Sequence, residues 1–424
     1  MGTRIVAYFD THRAVTISII FVLAFLVRCA LLFQYRHDIV LVGEAPRIAY
    51  ALISKGQFAD PYAIPTGPTA HTTPFFPLLL AGIYKIFGTG YSGQFARCLF
   101  VIFGYSTLYS LYPTFATAFG FPFETGLFAG FFAALVPVKR SFEVFRGWEE
   151  PWAAIALAYI LFLTLKRYGA PRREVKSAIL VGLCWGTALY MSFSLFSILI
   201  GLLVVDVWSH RSVAVLRDAC ITLIATLAVI TPWTLRNQYQ LHGWTLMRSN
   251  FGLELRVSNH DGAYPSAELN SAEPAEQSLH PSRNIREAML VRDMGELNYG
   301  HWASHIGFTW IFNHPREFTW LSMQRFFYYW FGPPQHPFEL IVTSAYTLLG
   351  LAGLGQVRKR VGEIQYRIWC TVLLVYPVLY YFFQFVQRYR VVTEWMLWLS
   401  AALFVSVVLE RFAPEKAAIA VRAG

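Results

Sequence analysis

Apolar runs of near-bilayer length dominate the chain, at about 14–33, 93–113, 121–138, 150–165, 176–192, 194–209, 214–233, 338–355, 366–384 and 391–410. A helix needs about 20 apolar residues to cross the hydrocarbon core, so the pattern predicts ten crossings. Two further runs, 74–88 and 317–331, are too short or too interrupted to cross and are expected to lie flat or re-entrant at one face. Between the first two long runs stands a segment of another kind, GEAPRIAYALISKGQFADPYAIPTGPTAHTTP, from Gly43 to Pro74. Its Ala45, Ile48, Ala49, Leu52 and Ile53 share one side of a helical wheel, with Glu44, Arg47, Tyr50 and Ser54 toward the other and Pro46 in the first turn. That spacing predicts an amphipathic helix with Glu44 at its N-terminal end. The PTGPTA stretch that follows has no period and reads as irregular backbone, which membrane depth tolerates only where protein covers it or it lines a cavity. A second polar segment, 234–337, holds SNHDGAYPSAELNSAEPAEQSLHPSRN and then a predicted helix from Arg286 to about Phe312. It is too short to form a domain of its own.

Composition agrees with the pattern. The chain is 56% hydrophobic and only 14% charged, with a mean hydropathy of +0.43, whereas soluble domains carry about 25% charge. The expected fold is an all-α integral membrane protein: a single domain, 1–424, with a first outer loop at 34–92 and a second at 234–337. The run at 14–33 follows Arg4 and Arg13 but has the length of a span and no small-x-small cleavage site after it, so it reads as uncleaved. Lys and Arg crowd two short loops, KRYGAPRREVK at 166–176 and QVRKRVGEIQYR at 356–367, with Lys416 and Arg422 in the tail. These faces are expected to be cytoplasmic, which places both termini inside and the two large loops outside. The formal net charge of +10 (35 − 25) then belongs beside lipid headgroups rather than nucleic acid, and suggests anionic lipids or phosphates as partners. Cys29, Cys98, Cys184, Cys220 and Cys370 all lie in apolar runs without CxxC spacing and read as packing residues.

The candidate chemistry lies at the outer face. Glu44 opens a helix whose dipole favours the carboxylate, so it is a candidate general base; an acid that merely complements the dipole is the alternative. His71 is a candidate substrate contact or a structural hydrogen-bonder. Cations also stand where the positive-inside tendency disfavours them. The loop VKRSFEVFRGWEEPW brings Lys139, Arg140 and Arg146 together with Glu149 and Glu150, QRYRVV carries Arg388 and Arg390, and Arg236 follows Pro232 and Trp233. Such cations suit a bound anion, a lipid-linked phosphate being the natural choice; headgroup contacts and internal ion pairs are the alternative. Arg47, His71, Arg146, Glu149 and Glu150 are the expected walls of a substrate cavity, with Arg236, Arg388, Arg390, Lys139 and Arg140 on the phosphate. No Walker loop, GxGxxG in strand context, HExxH or Cys/His pattern occurs, so no cofactor is expected and no metal is demanded.

GEAPRIAYALISKGQFADPY, PTGPTA and TPFFPLLLAGIYKIFG, followed by TPWTLRN and RSNFGLEL, together resemble the outer loops of bacterial membrane glycosyltransferases of the C superfamily, the group of protein mannosyltransferases and lipid A aminoarabinose transferases. The resemblance covers most of the chain. It implies a bacterial plasma-membrane enzyme that takes a sugar from a polyprenyl-phosphate donor at the outer face and passes it to a lipid, glycan or protein acceptor. Glu44 matches the second acid of the family's Asp-Glu pair, and Gly43 stands where the Asp would be. The resemblance therefore implies that Glu44 acts alone or with another acid such as Asp38; some members of the family bind a metal. Two other readings share these features: a flippase or transporter for lipid-linked glycans, which should show inverted repeats or midplane charges, and a ligase that moves a whole glycan. Arg28 is the deep charge in the first span.

Overall fold

The structure, a computed structural model, describes residues 9–39, 43–139, 141–170 and 173–412. Among these residues it is all-helical, with two isolated β-bridges, Ala59 to Pro68 and Ser266 to Phe385. Five helices among the described residues are long and apolar enough to cross a membrane: Arg13–Gln34, Tyr91–Ala118, Val213–Leu241, Pro337–Val361 and Gln387–Arg411. The ten full-length spans expected from the pattern are thus not what the helices display. Phe123–Leu135, Val175–Leu189 and Leu195–His210 are apolar but shorter. The run at 366–384 breaks after Val375, where Tyr376–Val378 forms a 3₁₀ turn around Pro377. The span predicted at 214–233 runs on to Leu241: Pro232 sits inside the helix, which continues for two more turns and ends at His242 in a left-handed conformation.

The bundle is held by close approach of small residues. On Val175–Leu189, Gly182 and Gly186 lie against Val213–Leu241. A Cβ on Gly182 would stand 2.4 Å from the Thr222 carbonyl oxygen, and the Thr226 hydroxyl donates to the Gly182 carbonyl at 3.1 Å. Small residues four apart permit this backbone contact in an apolar medium, where packing and interhelical hydrogen bonds drive association. The core between the helices is aromatic, with Trp185, Trp369, Trp395, Tyr105 and Tyr112 buried together. All five cysteines are unpaired.

Three helices position the site. The first, α1, is Glu44–Lys55, the amphipathic helix the spacing predicts; Gly56, at φ 68°, ends it in the left-handed region that glycine adopts without strain. The second, α2, is Phe75–Phe87. It lays Phe76, Leu80 and Tyr84 against Ala45 and Ala49 of α1, and burying each such large side chain stabilises by about 1.5–3 kcal/mol. The third, α3, is Glu296–Asn313. The single helix expected from Arg286 to Phe312 is instead two, Ile285–Met294 and α3, because Gly295 turns the chain at φ 80°.

Candidate active site

The irregular segment after α1 is folded by its own polar groups. The Asp60 carboxylate accepts the main-chain N–H groups of Thr66 and Gly67 at 3.0 and 2.8 Å and meets Lys55 Nζ at 2.6 Å. The Asp60 N–H donates to Gly67 and the Thr69 N–H to Phe58. The segment is then fastened to the second outer loop. Glu296, in the first turn of α3, accepts from the Thr69 hydroxyl, the Ala70 N–H and the Ser249 hydroxyl, while Arg236 donates to the carbonyls of Thr69 and Phe58 at 2.6 and 2.9 Å. PTGPTA is therefore the buttress of the cavity wall. The face turned to the cavity is the next three residues, His71, Thr72 and Thr73.

Two cavities meet at Glu44. The first, about 560 Å³, is lined by His71 to Thr73, Trp148 to Glu150, Arg248, His280, Tyr380, Arg388 and Tyr389, with Phe193, Phe196, Phe251 and Phe383 among its apolar walls. The second, about 1180 Å³, runs past Lys139, Arg146, Glu268, His336 and Glu339. Glu44, Trp148, Ser282, Arg283 and Arg388 face both. Burial works to raise the Glu44 carboxyl, but the His280 and His71 imidazoles, its own main-chain N–H and the Ser282 hydroxyl outweigh that and hold it at about 2. His71 moves the other way: burial, opposed by Glu44 and helped by Arg248, His280 and Arg388, lowers it to about 3. At neutral pH Glu44 is a carboxylate and His71 an uncharged imidazole.

Around this carboxylate stand two guanidinium groups. Arg388 lies 4.0 Å above the Trp148 ring, which stacks on Phe76 of α2 at 5.8 Å, and its Nη1 is 3.3 Å from Glu150 Oε1. Arg248 is anchored through Nε to the His71 carbonyl at 3.0 Å, and no ion pair joins it to an acid among the described residues. Glu149 lines the same cavity; burial and the adjacent Glu150 raise it, against Arg388, to about 7. The Glu44, His71 and His280 ligand atoms all lie within 4.8 Å of one another, and His71 Nδ1 faces the Tyr62 hydroxyl at 3.0 Å. In kind and number this is a donor set that a divalent transition metal uses.

Of the residues singled out in the sequence, Glu44, His71, Glu149, Glu150 and Arg388 converge here. Arg146 is exposed at the second cavity with no ion pair among the described residues. Lys139 touches that cavity too, but its ammonium is buried and held by Glu394 at 2.6 and 2.7 Å. Arg390 reaches neither cavity; its donors go to the carbonyls of Tyr329 and Trp330 and to the Thr347 hydroxyl. Arg236 is spent on the buttress, and Arg47 joins the carbonyls of Ser282 and Pro61. Arg140 and the side chain of Asp38 lie outside the described residues. Arg248, His280 and Ser282 were not anticipated. Each is a lone polar residue in the aperiodic second loop, and the one hint was that RSN and LHPSRN crowd polar groups beside an otherwise apolar chain.

No family model and no curated protein matches the sequence. Solved structures do. The chain resembles the oligosaccharyltransferase of Archaeoglobus fulgidus tethered to an acceptor peptide containing the NVT sequon, at 14% identity and a TM-score of 0.53, over 96% of this chain and 50% of that one. It also resembles the same enzyme in complex with Zn and sulfate, at 14% identity and a TM-score of 0.51, over 93% and 49%. In its apo form that enzyme aligns over 95% of this chain and 51% of its own length. The chain thus spans about half the length of that enzyme, and the likeness shows a shared fold.

Proposed function

We propose that this chain is a membrane glycosyltransferase that moves a sugar from a polyprenyl-phosphate donor to an acceptor nucleophile, with Glu44 as general base. The observation that carries this reading is an ionised carboxylate placed where two cavities meet, with guanidinium groups beside it. Two substrates must approach one reacting carbon from different sides, and this arrangement provides for that. The first cavity, with its aromatic walls and Arg248 and Arg388, suits the sugar and phosphate of the donor; the second suits the acceptor. In the step, an acceptor oxygen forms a bond to the anomeric carbon as the bond to the phosphate oxygen breaks. The acceptor's proton passes to Glu44, and the electron pair leaves on the phosphate, which the guanidinium groups stabilise. A carboxylate held near 2 is a weak base; a donor phosphate brings negative charge next to Glu44 and raises its basicity when substrate is present.

Lys139, Arg236 and Arg390, assigned to the phosphate from the sequence, have protein acceptors, so we give that role to Arg388 and to Arg248. We retain the outer-face location of the site, ten membrane passages that include the shorter helices, cytoplasmic termini and a bacterial plasma membrane. A second reading, transfer of a whole glycan from a lipid carrier, is favoured by the likeness to an oligosaccharyltransferase over nearly all of this chain.

The test is to incubate purified protein in lipid with a labelled polyprenyl-phosphate sugar and acceptor extracts. Transfer of label to an acceptor, lost in Glu44→Gln, is the expected result. Transfer only from a diphosphate-linked glycan selects the second reading. Label that crosses vesicles while still joined to its lipid would mark a carrier and overturn both.

A further inference from the structure

The metal-like triad at Glu44 raises a question that its hydrogen bonds answer. A histidine that ligates a metal offers the lone pair of one ring nitrogen and donates N–H from the other. His71 meets this condition: a phenol oxygen can accept from its Nδ1, which leaves Nε2 bare. His280 does not. Its Nδ1 accepts the main-chain N–H of Ser282 at 3.1 Å and faces the Ser282 hydroxyl at 2.8 Å. A hydroxyl can turn, but a main-chain N–H can only donate, so Nδ1 carries no proton. In the neutral ring the proton is therefore on Nε2, the nitrogen 3.9 Å from Glu44 Oε1. The nitrogen nearest the carboxylate is a donor, with no lone pair for a cation.

The surroundings argue the same way. Arg388 faces both cavities beside Glu44, and Arg248 is tied to the main chain of His71 itself. A divalent ion among these residues would stand close to two fixed positive charges. The chain also has Gly43 next to Glu44, so the sequence neighbour adds no second anionic ligand, and the Glu150 carboxylate of the same cavity is 3.3 Å from Arg388.

We infer that Glu44 is held by a locked imidazole rather than by a divalent metal: His280, fixed in one tautomer by Ser282, is a positioning residue that presents Nε2–H to the carboxylate. The pair stands beyond hydrogen-bond length in the resting structure, as catalytic contacts often do, and shortens when substrate fills the cavities. Arg47 supports the device from behind by donating to the Ser282 carbonyl at 3.0 Å, which fixes the residue whose N–H sets the tautomer. The inference rests on the transferase reading for the importance of Glu44, but its metal test does not.

Wild-type protein is incubated with Zn²⁺ or Co²⁺, freed of excess, and examined for metal content by mass spectrometry and for visible Co²⁺ absorption. The expected result is no stoichiometric metal and no absorption band, with turnover unchanged by chelator. One ion per chain, with a tetrahedral Co²⁺ spectrum that His71→Ala and His280→Ala abolish, would overturn the inference. In the second arm, His280→Gln keeps an N–H donor near the Nε2 position and is expected to retain most of the turnover that His280→Ala loses, a loss of about 10²-fold for a misplaced catalytic group. Equal loss in both variants would remove the positioning role. A chain that transfers no sugar under any condition defeats the functional reading, and the metal titration still decides between imidazole and ion.

Discussion

The cations inside the helix bundle and those at the cavity differ in how their bonding is completed. Within the bundle Arg28 is fully buried. Its guanidinium meets Glu143 and donates to the carbonyls of Ala133 and Ala134 at 2.9 and 2.8 Å, so every direction is filled by protein. Arg390 is closed in the same way at both terminal nitrogens, by two carbonyls and a threonine, with its Nε 3.7 Å from Glu394. At the cavity, Arg248 has one anchoring bond and no acid partner among the described residues, and Arg388 rests on an aromatic face and shares one carboxylate. A cation whose bonding is complete stabilises the fold, whereas one left with open donors is available to a ligand.

The strongest test of this contrast is at Glu44. Glu44→Gln keeps the shape and removes the proposed base, so turnover should fall about 10²–10⁴-fold while donor binding persists; a variant that loses donor affinity instead would place Glu44 among the binding residues. The bundle should respond in the opposite manner. Arg28→Met leaves Glu143 buried without its partner and is expected to cost about 3–5 kcal/mol of stability, read as a lower unfolding midpoint in detergent, with donor affinity unchanged in the folded fraction. Arg248→Ala strands no carboxylate and should weaken donor binding or kcat/KM by roughly 1.5–3 kcal/mol, the range for hydrogen bonds to charged groups, with little change in stability. If Arg248→Ala unfolds the protein and Arg28→Met does not, the contrast fails.

The smallest effect expected is one of pH. Glu149 sits at about 7 in the folded protein against 4.5 for the free side chain, so the folded state holds more protons than the unfolded one between those values. Stability should therefore fall as pH rises from about 4.5 to 7, by on the order of 1 kcal/mol for a partly exposed group. Glu44, held near 2, contributes in the other sense: its stabilisation is present above 4.5 and is lost as pH falls toward 2. Unfolding midpoints measured across this range should flatten near neutral pH in Glu149→Gln and at the acid end in Glu44→Gln.

Much of the architecture was legible because helical periodicity and apolar run length record burial directly. Glu44–Lys55 was readable from its apolar face and from Pro46 in its first turn. The count of spans was not, because hydropathy alone cannot tell a crossing from an apolar helix of 13 to 16 residues such as Phe123–Leu135 or Leu195–His210, and proline is ambiguous: Pro232 leaves its helix unbroken while Pro377 opens a 3₁₀ turn. The carboxylate was legible from its place at a helix start. Its imidazole partner lies 236 residues away along the chain, as the numbers 44 and 280 give, and no local pattern encodes such a meeting. Arg388 and Arg390 look alike in QRYRVV, but they share one 3₁₀ turn, Gln387–Arg390. Two residues on such a turn point in widely separated directions, so one reaches the cavity and the other the core.

The anchoring of the first outer segment by Glu296 has a consequence for the order in which the protein matures. Ala70 and Glu296 are 226 positions apart, and Arg236 and Ser249, which complete the fastening, also come late in the sequence. A ribosome adds about 5–20 residues each second, so the segment around His71 emerges roughly ten seconds or more before the residues that fix it have been made. During that interval the wall behind Glu44 is missing. The cavity around Glu44 is thus closed only after the second segment has been synthesised and has reached the first, and a nascent chain halted before Glu296 should lack the donor binding expected of the full chain.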